Sequence, residues 1–332
     1  MGQQISRRSF LKGGLAAAAG LAASRIPGSE AVAEPDETKQ LATLLDISKC
    51  IGCGECVAAC SEANADKYPV PQKPFPKMYP SRAKVSDWSD KQDVDDRLTP
   101  YNWLFIQHAS VAVNGEETEL TIPRRCMHCV NPPCVKLCPW GAAKQFENGI
   151  SRIDSEICLG GSKCNKVCPW DIPQRQTGVG LYLDILPNFA GNGVMYKCDR
   201  CYNRLADGDL PACIEACPEE VQTIGPRAEI IQKAHTLAKE TNGHIYGETE
   251  NGGTNTIYVS PVPFEEINQG IEKGKGKPDF RKAKNKMAEA NNLAAAMVIA
   301  PLAGLAAAAR KAYNYNKRMN RSGSNESTHQ DT

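Results

Sequence analysis

Cysteine placement constrains this chain more than any other feature. All fifteen cysteines lie between Cys50 and Cys217, gathered into four blocks. The blocks read Cys50-x2-Cys53-x2-Cys56-x3-Cys60, Cys126-x2-Cys129-x4-Cys134-x3-Cys138-Pro139, Cys158-x5-Cys164-x3-Cys168-Pro169 and Cys198-x2-Cys201-x11-Cys213-x3-Cys217-Pro218. Such density belongs to disulfide scaffolds or metal proteins. An odd number leaves one thiol over in any all-disulfide scheme. Zinc sites pair two C-x2-C hooks, which leaves the x2-x2-x3 run and three Cys-Pro endings unexplained. No C-x-x-C-H occurs, so covalent c-type haem is excluded. What remains is the bacterial ferredoxin run C-x2-C-x2-C-x3-C-P, repeated four times.

The spacing has a physical reason. Three thiolates on a tight loop reach three corners of one cubane, and the fourth cysteine starts a helix directed toward the other cluster of a pair. Proline after it suits a chain that must turn. Nineteen residues separate Cys138 from Cys158, and within them the segments 144–146 and 150–153 flank Asn148-Gly149, a hairpin signal. The second and third blocks therefore form one two-cluster unit. By elimination the first and fourth form another, across a long insertion. With fourth ligands exchanged, the expected sites are Cys50, Cys53, Cys56 with Cys217; Cys198, Cys201, Cys213 with Cys60; Cys126, Cys129, Cys134 with Cys168; and Cys158, Cys164 with Cys138. The last set is one thiolate short, because Gly161 stands where the register places a cysteine. Three thiolates suit a [3Fe–4S] cluster, beside three [4Fe–4S] clusters. The alternative is a fourth iron held by Ser162, water or another oxygen ligand.

The ends carry separate signals. Ser6-Arg7-Arg8-Ser9-Phe10-Leu11-Lys12 followed by a mildly apolar run reads as a twin-arginine export signal, with cleavage after Ala31-Val32-Ala33. Export of a folded chain agrees with a metal cofactor loaded in the cytoplasm. Residues 290–309 carry no charge and are just long enough to span a bilayer. The expected organisation is a signal over 1–33, a first cysteine block at 34–62, an insertion at 63–123, a second ferredoxin unit at 124–172 and a connector at 173–197. A fourth cysteine block at 198–225, an extension at 226–289, a transmembrane helix at 290–309 and a cytoplasmic tail at 310–332 complete it. The fold class is α+β: two pseudo-symmetric ferredoxin units with added segments.

Within those segments, strands are expected at 103–107, 119–122, 221–224 and 257–260, and a helix at 228–240 with Ile230, Ile231, Ala234 and Leu237 on one side. Large apolar residues are few for the length, so clusters are expected to act as the core. Lys49, Arg124, Arg125, Lys136, Lys163, Lys166, Lys197 and Arg200 stand beside ligands; they read as solvated charges or as groups that raise cluster potentials. His128 reads as a polar neighbour or an exposed residue, Trp140 and Trp170 as apolar shields, and 273–286 as a solvated basic linker.

In its cysteine blocks the chain resembles the four-cluster ferredoxin-type subunits of periplasmic, membrane-bound oxidoreductases. Tyr246-Gly247-Glu248, Gly252-Gly253-Thr254 and Val262-Pro263-Phe264-Glu265 extend the resemblance to the hydrogenase-2-type iron–sulfur subunit. Gly161 departs from that subunit, which has cysteine there. The resemblance implies a non-catalytic subunit at the periplasmic face of the membrane. It relays electrons between a periplasmic catalytic or cytochrome subunit, a [NiFe] hydrogenase first, and an integral quinone-reactive subunit. A multihaem-cytochrome or molybdopterin complex is the alternative setting. A rival from another class is an enzyme that opens the three-cysteine cluster to substrate, though only Ser162, Lys163 and Asp154 lie nearby to serve it. No dinucleotide fingerprint, phosphate loop or net charge suited to nucleic acid is present; the formal charge is +1.

Overall fold

The computed structural model describes residues 39–75, 84–113, 115–185 and 193–306, with Ala309. The expected signal and tail lie outside the described residues. The strands are β1 (Leu41–Asp46), β2 (Phe105–Val113), β3 (Glu116–Arg124), β4 (Ala143–Gln145), β5 (Ser151–Ile153), β6 (Gln174–Gln176), β7 (Val194–Tyr196), β8 (Gln222–Pro226), β9 (His244–Tyr246) and β10 (Thr256–Ser260). The helices are α1 (Glu55–Asn64), α2 (Pro133–Lys136), α3 (Lys163–Val167), α4 (Tyr182–Ile185), α5 (Tyr202–Ala206), α6 (Ala212–Glu215), α7 (Arg227–Thr241) and α8 (Phe264–Gly270). Residues 290–306 are also helical.

The main sheet runs β8-β1-β10-β9, with β1 parallel to β10 and the other pairs antiparallel. Strand alternation sorts its two faces. Leu44 and Ile257, paired in register, face α7 with Ala42, Val259, Ile230 and Ala234. Leu45 and Tyr258, the next pair, join the larger core that contains the cysteines. Helix α7 forms where expected because its apolar residues recur at helical spacing; Ile230 and Ala234 are fully buried. It ends at Asn242, left-handed at φ +50, whose N–H returns to the Ala238 carbonyl.

The insertion supplies β2 and β3, a hairpin of two nine-residue strands, far longer than the two short runs predicted. It packs over the first cysteine loop: Thr121 Oγ1 donates to the Cys50 carbonyl at 2.8 Å. The hairpin β4–β5 closes by a three-residue loop, with Gly149 at φ +76 donating to the Phe146 carbonyl. Asn148-Gly149 therefore marks the turn, but as a glycine bulge rather than a two-residue turn.

One expectation about the C-terminal part is corrected. Segment 273–286 is not a wholly solvated linker: residues 276–280 are buried, and the Lys277 side chain, 5% exposed, pairs with Asp96 and Glu272. Phe280 is buried among Tyr246, Tyr258 and Phe264, with the Arg124 guanidinium 3.7 Å from its ring centre. Among the described residues, no helix is long and apolar enough to cross a membrane.

Candidate metal centres

The four cysteine blocks share one backbone device. The residue before the second ligand position is left-handed in each: Gly52 at φ +71, His128 at +44, Gly160 at +67 and Arg200 at +56. For His128 and Arg200 that conformation costs about 1 kcal/mol or more, so the loop shape is imposed from outside. It turns the chain back tightly enough for neighbouring thiols to converge.

Helices then carry the remaining cysteines. In α1, Cys56 and Cys60 stand four residues apart on one buried face, and Asn64 continues the stripe with Nδ2 donating to the Cys60 carbonyl at 2.8 Å. Cys134 lies in α2, Cys164 in α3 and Cys213 in α6, with Cys138, Cys168 and Cys217 just beyond their ends. Helix α1 packs against α6, and α2 against α3.

That packing draws the thiols into sets. One cavity is lined by Cys50, Cys53, Cys56 and Cys217. A second is lined by Cys60, Cys198, Cys201 and Cys213, with Arg125 and Arg200 in its wall. A third is lined by Cys126, Cys129, Cys134 and Cys168, with His128, Trp170 and Lys197. Cys164 lies close enough to Cys158, Cys134 and Cys138 for their charges to raise its pKa after burial does. None of the fifteen cysteines is paired in a disulfide. Among the described residues no three Cys, His, Asp or Glu side chains are grouped to hold a single metal ion.

Burial makes each thiolate costly on its own. It pushes Cys56 up to about 12, with Cys213 adding to the shift, and Cys168 to about 12 and Cys134 to about 11. Cys129 and Cys164 are raised well above the ordinary thiol value, again chiefly by burial. These groups ionise only against a compensating cation, as ligands to metal do.

Four of the basic residues beside ligands, which read either as solvated charges or as groups that raise potentials, are buried: Arg124, Arg125, Lys197 and Arg200. Arg125 is 2% exposed, Arg200 3% and Lys197 6%. Arg125 Nη1 donates to Cys213 Sγ at 2.9 Å while its Nε and Nη2 have no partner. Lys197 Nζ donates to the carbonyls of Ser151 and Cys198. Arg200 donates to the Leu41 and Asn255 carbonyls, both at 2.7 Å. Burial works against the charge of Arg125; the thiolates of Cys213 and Cys198 outweigh it and raise its pKa. Buried cations without anionic neighbours are expensive. Thiolate-bound iron–sulfur clusters carry net negative charge, so the donor sets and the unpaired cations around them fit that cofactor together.

His128 is wholly buried, not exposed. Its Nδ1 accepts the Ser151 N–H at 3.2 Å, which leaves the proton on Nε2, and burial holds its pKa well below the usual value. Trp170 is the shield expected: it is 2% exposed, lines the third cavity and donates to Tyr246 Oη at 2.8 Å. Trp140 is not, being 42% exposed. Backbone N–H groups of Ala143, Met195, Arg200 and Val221 donate to the sulfurs of Cys138, Cys158, Cys198 and Cys217 at 3.3–3.5 Å. The Met195 and Arg125 contacts join distant segments and depend on tertiary packing, whereas the Asn64, Ala143, Arg200 and Val221 donors lie close in sequence to the cysteine they reach.

Buried thiol sets on paired ferredoxin loops and helices define an iron–sulfur protein of the dicluster ferredoxin type, with mixed helix and strand. Comparison with known proteins agrees. Residues 118–227 and 49–142 each match a 4Fe-4S dicluster domain, and residues 4–24 match a twin-arginine translocation pathway signal sequence. Hydrogenase-2 operon protein HybA of Escherichia coli O157:H7 is 30% identical over 302 residues, covering 79% of this chain and 83% of HybA. A protein of Nitratidesulfovibrio vulgaris is 31% identical over 286 residues, 83% of this chain and 70% of the relative. The iron–sulfur subunit of the nitrate-inducible formate dehydrogenase of Escherichia coli K12 is 32% identical over 231 residues, 68% of this chain and 69% of that subunit. The chain belongs to the family of ferredoxin-type iron–sulfur subunits that relay electrons in oxidoreductase complexes, and it is not their catalytic subunit. Its signal directs it to the twin-arginine route and the periplasm.

Proposed function

We propose that the chain holds three [4Fe–4S] clusters and one [3Fe–4S] cluster in single file. It passes electrons between a periplasmic catalytic or cytochrome subunit and a membrane quinone-reactive subunit. The ligand sets are Cys50, Cys53, Cys56, Cys217; Cys60, Cys198, Cys201, Cys213; Cys126, Cys129, Cys134, Cys168; and Cys138, Cys158, Cys164 with Gly161 at the missing position. When bound, such clusters supply reversible one-electron carriers; the protein supplies spacing, dielectric and hydrogen bonds.

The observation that carries this reading is the order of the sets. Cys56 and Cys60 on α1 belong to the first and second sets. Cys198 of the second lies near Cys126 of the third, and Cys134 of the third near Cys138 of the fourth. Successive sets are thus neighbours, which supports a relay. The nested packing of α1 on α6 and α2 on α3 supports two pseudo-symmetric units, 124–172 inside 34–62 plus 198–225. Gly161 supports the three-iron assignment: no thiol stands there, and Ser162 Oγ is engaged by Arg175.

Similarity to a hydrogenase-2 operon protein makes a [NiFe] hydrogenase the first choice of partner, with a formate dehydrogenase or another molybdopterin or multihaem complex next. Membrane attachment through the C-terminal helix is supported by residues 290–306. Ala295, Ala296 and Ile299 pack on Leu137, Val167 and Met287, while Met297, Val298 and Leu305 are more than half exposed. The deciding experiment is iron and sulfide analysis with an EPR redox titration of the purified complex. About fifteen irons per chain and one three-iron signal in the oxidised state are expected. A colourless complex overturns the proposal.

A further inference from the structure

We infer that Arg175 guards the vacant ligand position of the three-cysteine site and keeps an additional metal cation out of it. The inference rests on the three-iron reading of Cys138, Cys158 and Cys164. The loop around Gly161 has the shape of a complete ligand loop. Gly160 and Ser162 are left-handed at φ +67 and +55, as Gly52 and Gly54 are at +71 and +82 on either side of the ligand Cys53. A Cβ built on Gly161 meets nothing within 4 Å. Neither backbone shape nor crowding therefore bars a fourth metal.

What differs is where a cation is held: at the second set Arg125 and Arg200 donate to a ligand sulfur and to the Leu41 and Asn255 carbonyls, whereas here a cation is tied to both neighbours of the missing ligand. Arg175 reaches from β6, where it pairs with Met195 of β7, and its Nη1 donates to the Gly160 carbonyl and to Ser162 Oγ, both at 3.1 Å. Those are the two residues flanking Gly161. Nη2 is fixed from the other side by the Lys84 carbonyl at 2.7 Å and Ser86 Oγ at 3.3 Å. Every one of these partners is neutral, and Nε is buried without a partner. At the complete first loop the neighbouring side chain is instead the neutral Thr121. A ferrous ion entering beside Gly161 gains no thiolate and meets a guanidinium held in place by four hydrogen bonds. Like charges in a partly desolvated site repel strongly. Arg175 also occupies Ser162 Oγ, a side-chain oxygen beside Gly161 that could serve as a substitute ligand. It is a positioning residue, not a ligand.

The test uses the cluster-loaded complex, reduced with dithionite and supplied with ferrous iron. Uptake forms bonds from the added iron to the three sulfides of the open face, with no change in electron count. The three-iron EPR signal, read after reoxidation, disappears as uptake proceeds. Wild type is expected to keep its signal in excess iron, Arg175→Lys to keep it as well, and Arg175→Gln to lose it roughly tenfold faster. Conversion of wild type or Arg175→Lys at the rate of Arg175→Gln overturns the guard role. Should Arg175→Gln not assemble, ready conversion of wild type alone overturns it and resistance supports it. If wild type as isolated has no three-iron signal, the three-iron reading itself fails and the inference falls with it.

Discussion

Arg125 Nη1 stands 2.9 Å from Cys213 Sγ, and neither residue is more than 5% exposed. A reduced cluster is more negative than an oxidised one, so a fixed buried cation favours reduction. Arg125→Met is expected to lower the midpoint potential of the cluster held by Cys60, Cys198, Cys201 and Cys213. A hydrogen bond to a charged group is worth about 1.5–3 kcal/mol, or about 60–130 mV for one electron. Redox titration followed by EPR measures it; an unmoved potential would reduce Arg125 to packing.

Ligand exchange between blocks makes a crossed prediction. Cys60→Ser and Cys213→Ser should remove the same cluster, and Cys56→Ser and Cys217→Ser a different one, although Cys56 and Cys60 are neighbours on α1. Each variant is expected to lose about four irons or convert the affected cluster to a three-iron form. Matching EPR losses for Cys56→Ser and Cys60→Ser would refute the exchange.

Gly161→Cys should complete the fourth set. The added side chain meets open space, so the fold should hold. The three-iron signal should give way to a four-iron one, with about one more iron per chain. Retention of the three-iron signal would show that the new thiol does not reach the cluster.

Iron removal should unfold the molecule unevenly. Stripped of metal, buried thiols such as Cys56, held near 12 by burial, are neutral, and Arg125, Lys197 and Arg200 lose their anionic neighbours. The layer formed by Ala42, Leu44, Ile230, Ala234, Ile257 and Val259 contains no cysteine. After chelation, hydrogen exchange should remain slowest in β1, β10 and α7 and become fast in α1, α2, α3 and α6. Uniform loss of protection would contradict this division.

Acid should loosen the insertion first. Burial raises the Asp87 pKa, but the Ser89 N–H, Gln176, Ser89 Oγ and Lys73 outweigh it and hold the carboxyl far below the usual range. A depressed folded pKa stabilises above the unfolded value of about 3.9 and is lost as pH falls toward the folded one. Exchange in 84–90 should therefore rise below about pH 4, and Asp87→Asn should raise it at neutral pH. An unchanged Asp87→Asn profile would remove Asp87 from the account.

The cysteine loops were legible because ligand chemistry fixes spacing, and α7 because Ile230, Ala234 and Leu237 repeat at helical period. Strand β2 was only half read: Asn114-Gly115, a two-residue hairpin signal, follows Val113 directly and marks the outer end that the sequence reading passed over. Segment 273–286 misled, since a run of lysines is ordinarily solvated, whereas Phe280 and Asp279 here anchor it beneath Arg124. Arg175 was invisible for another reason. It lies seven residues past Cys168 in sequence, and only the pairing of β6 with β7 carries it to the loop at Gly161.

The loop from Gly160 to Ser162 keeps its shape whether or not a sulfur is present. Glycine and cysteine codons differ by a single base, so one nucleotide can exchange one residue for the other without rebuilding anything around them. On the proposed ligand sets, the metal count at this site is thus an adjustable setting, and a lineage can retune one potential while the other sites stay as they are.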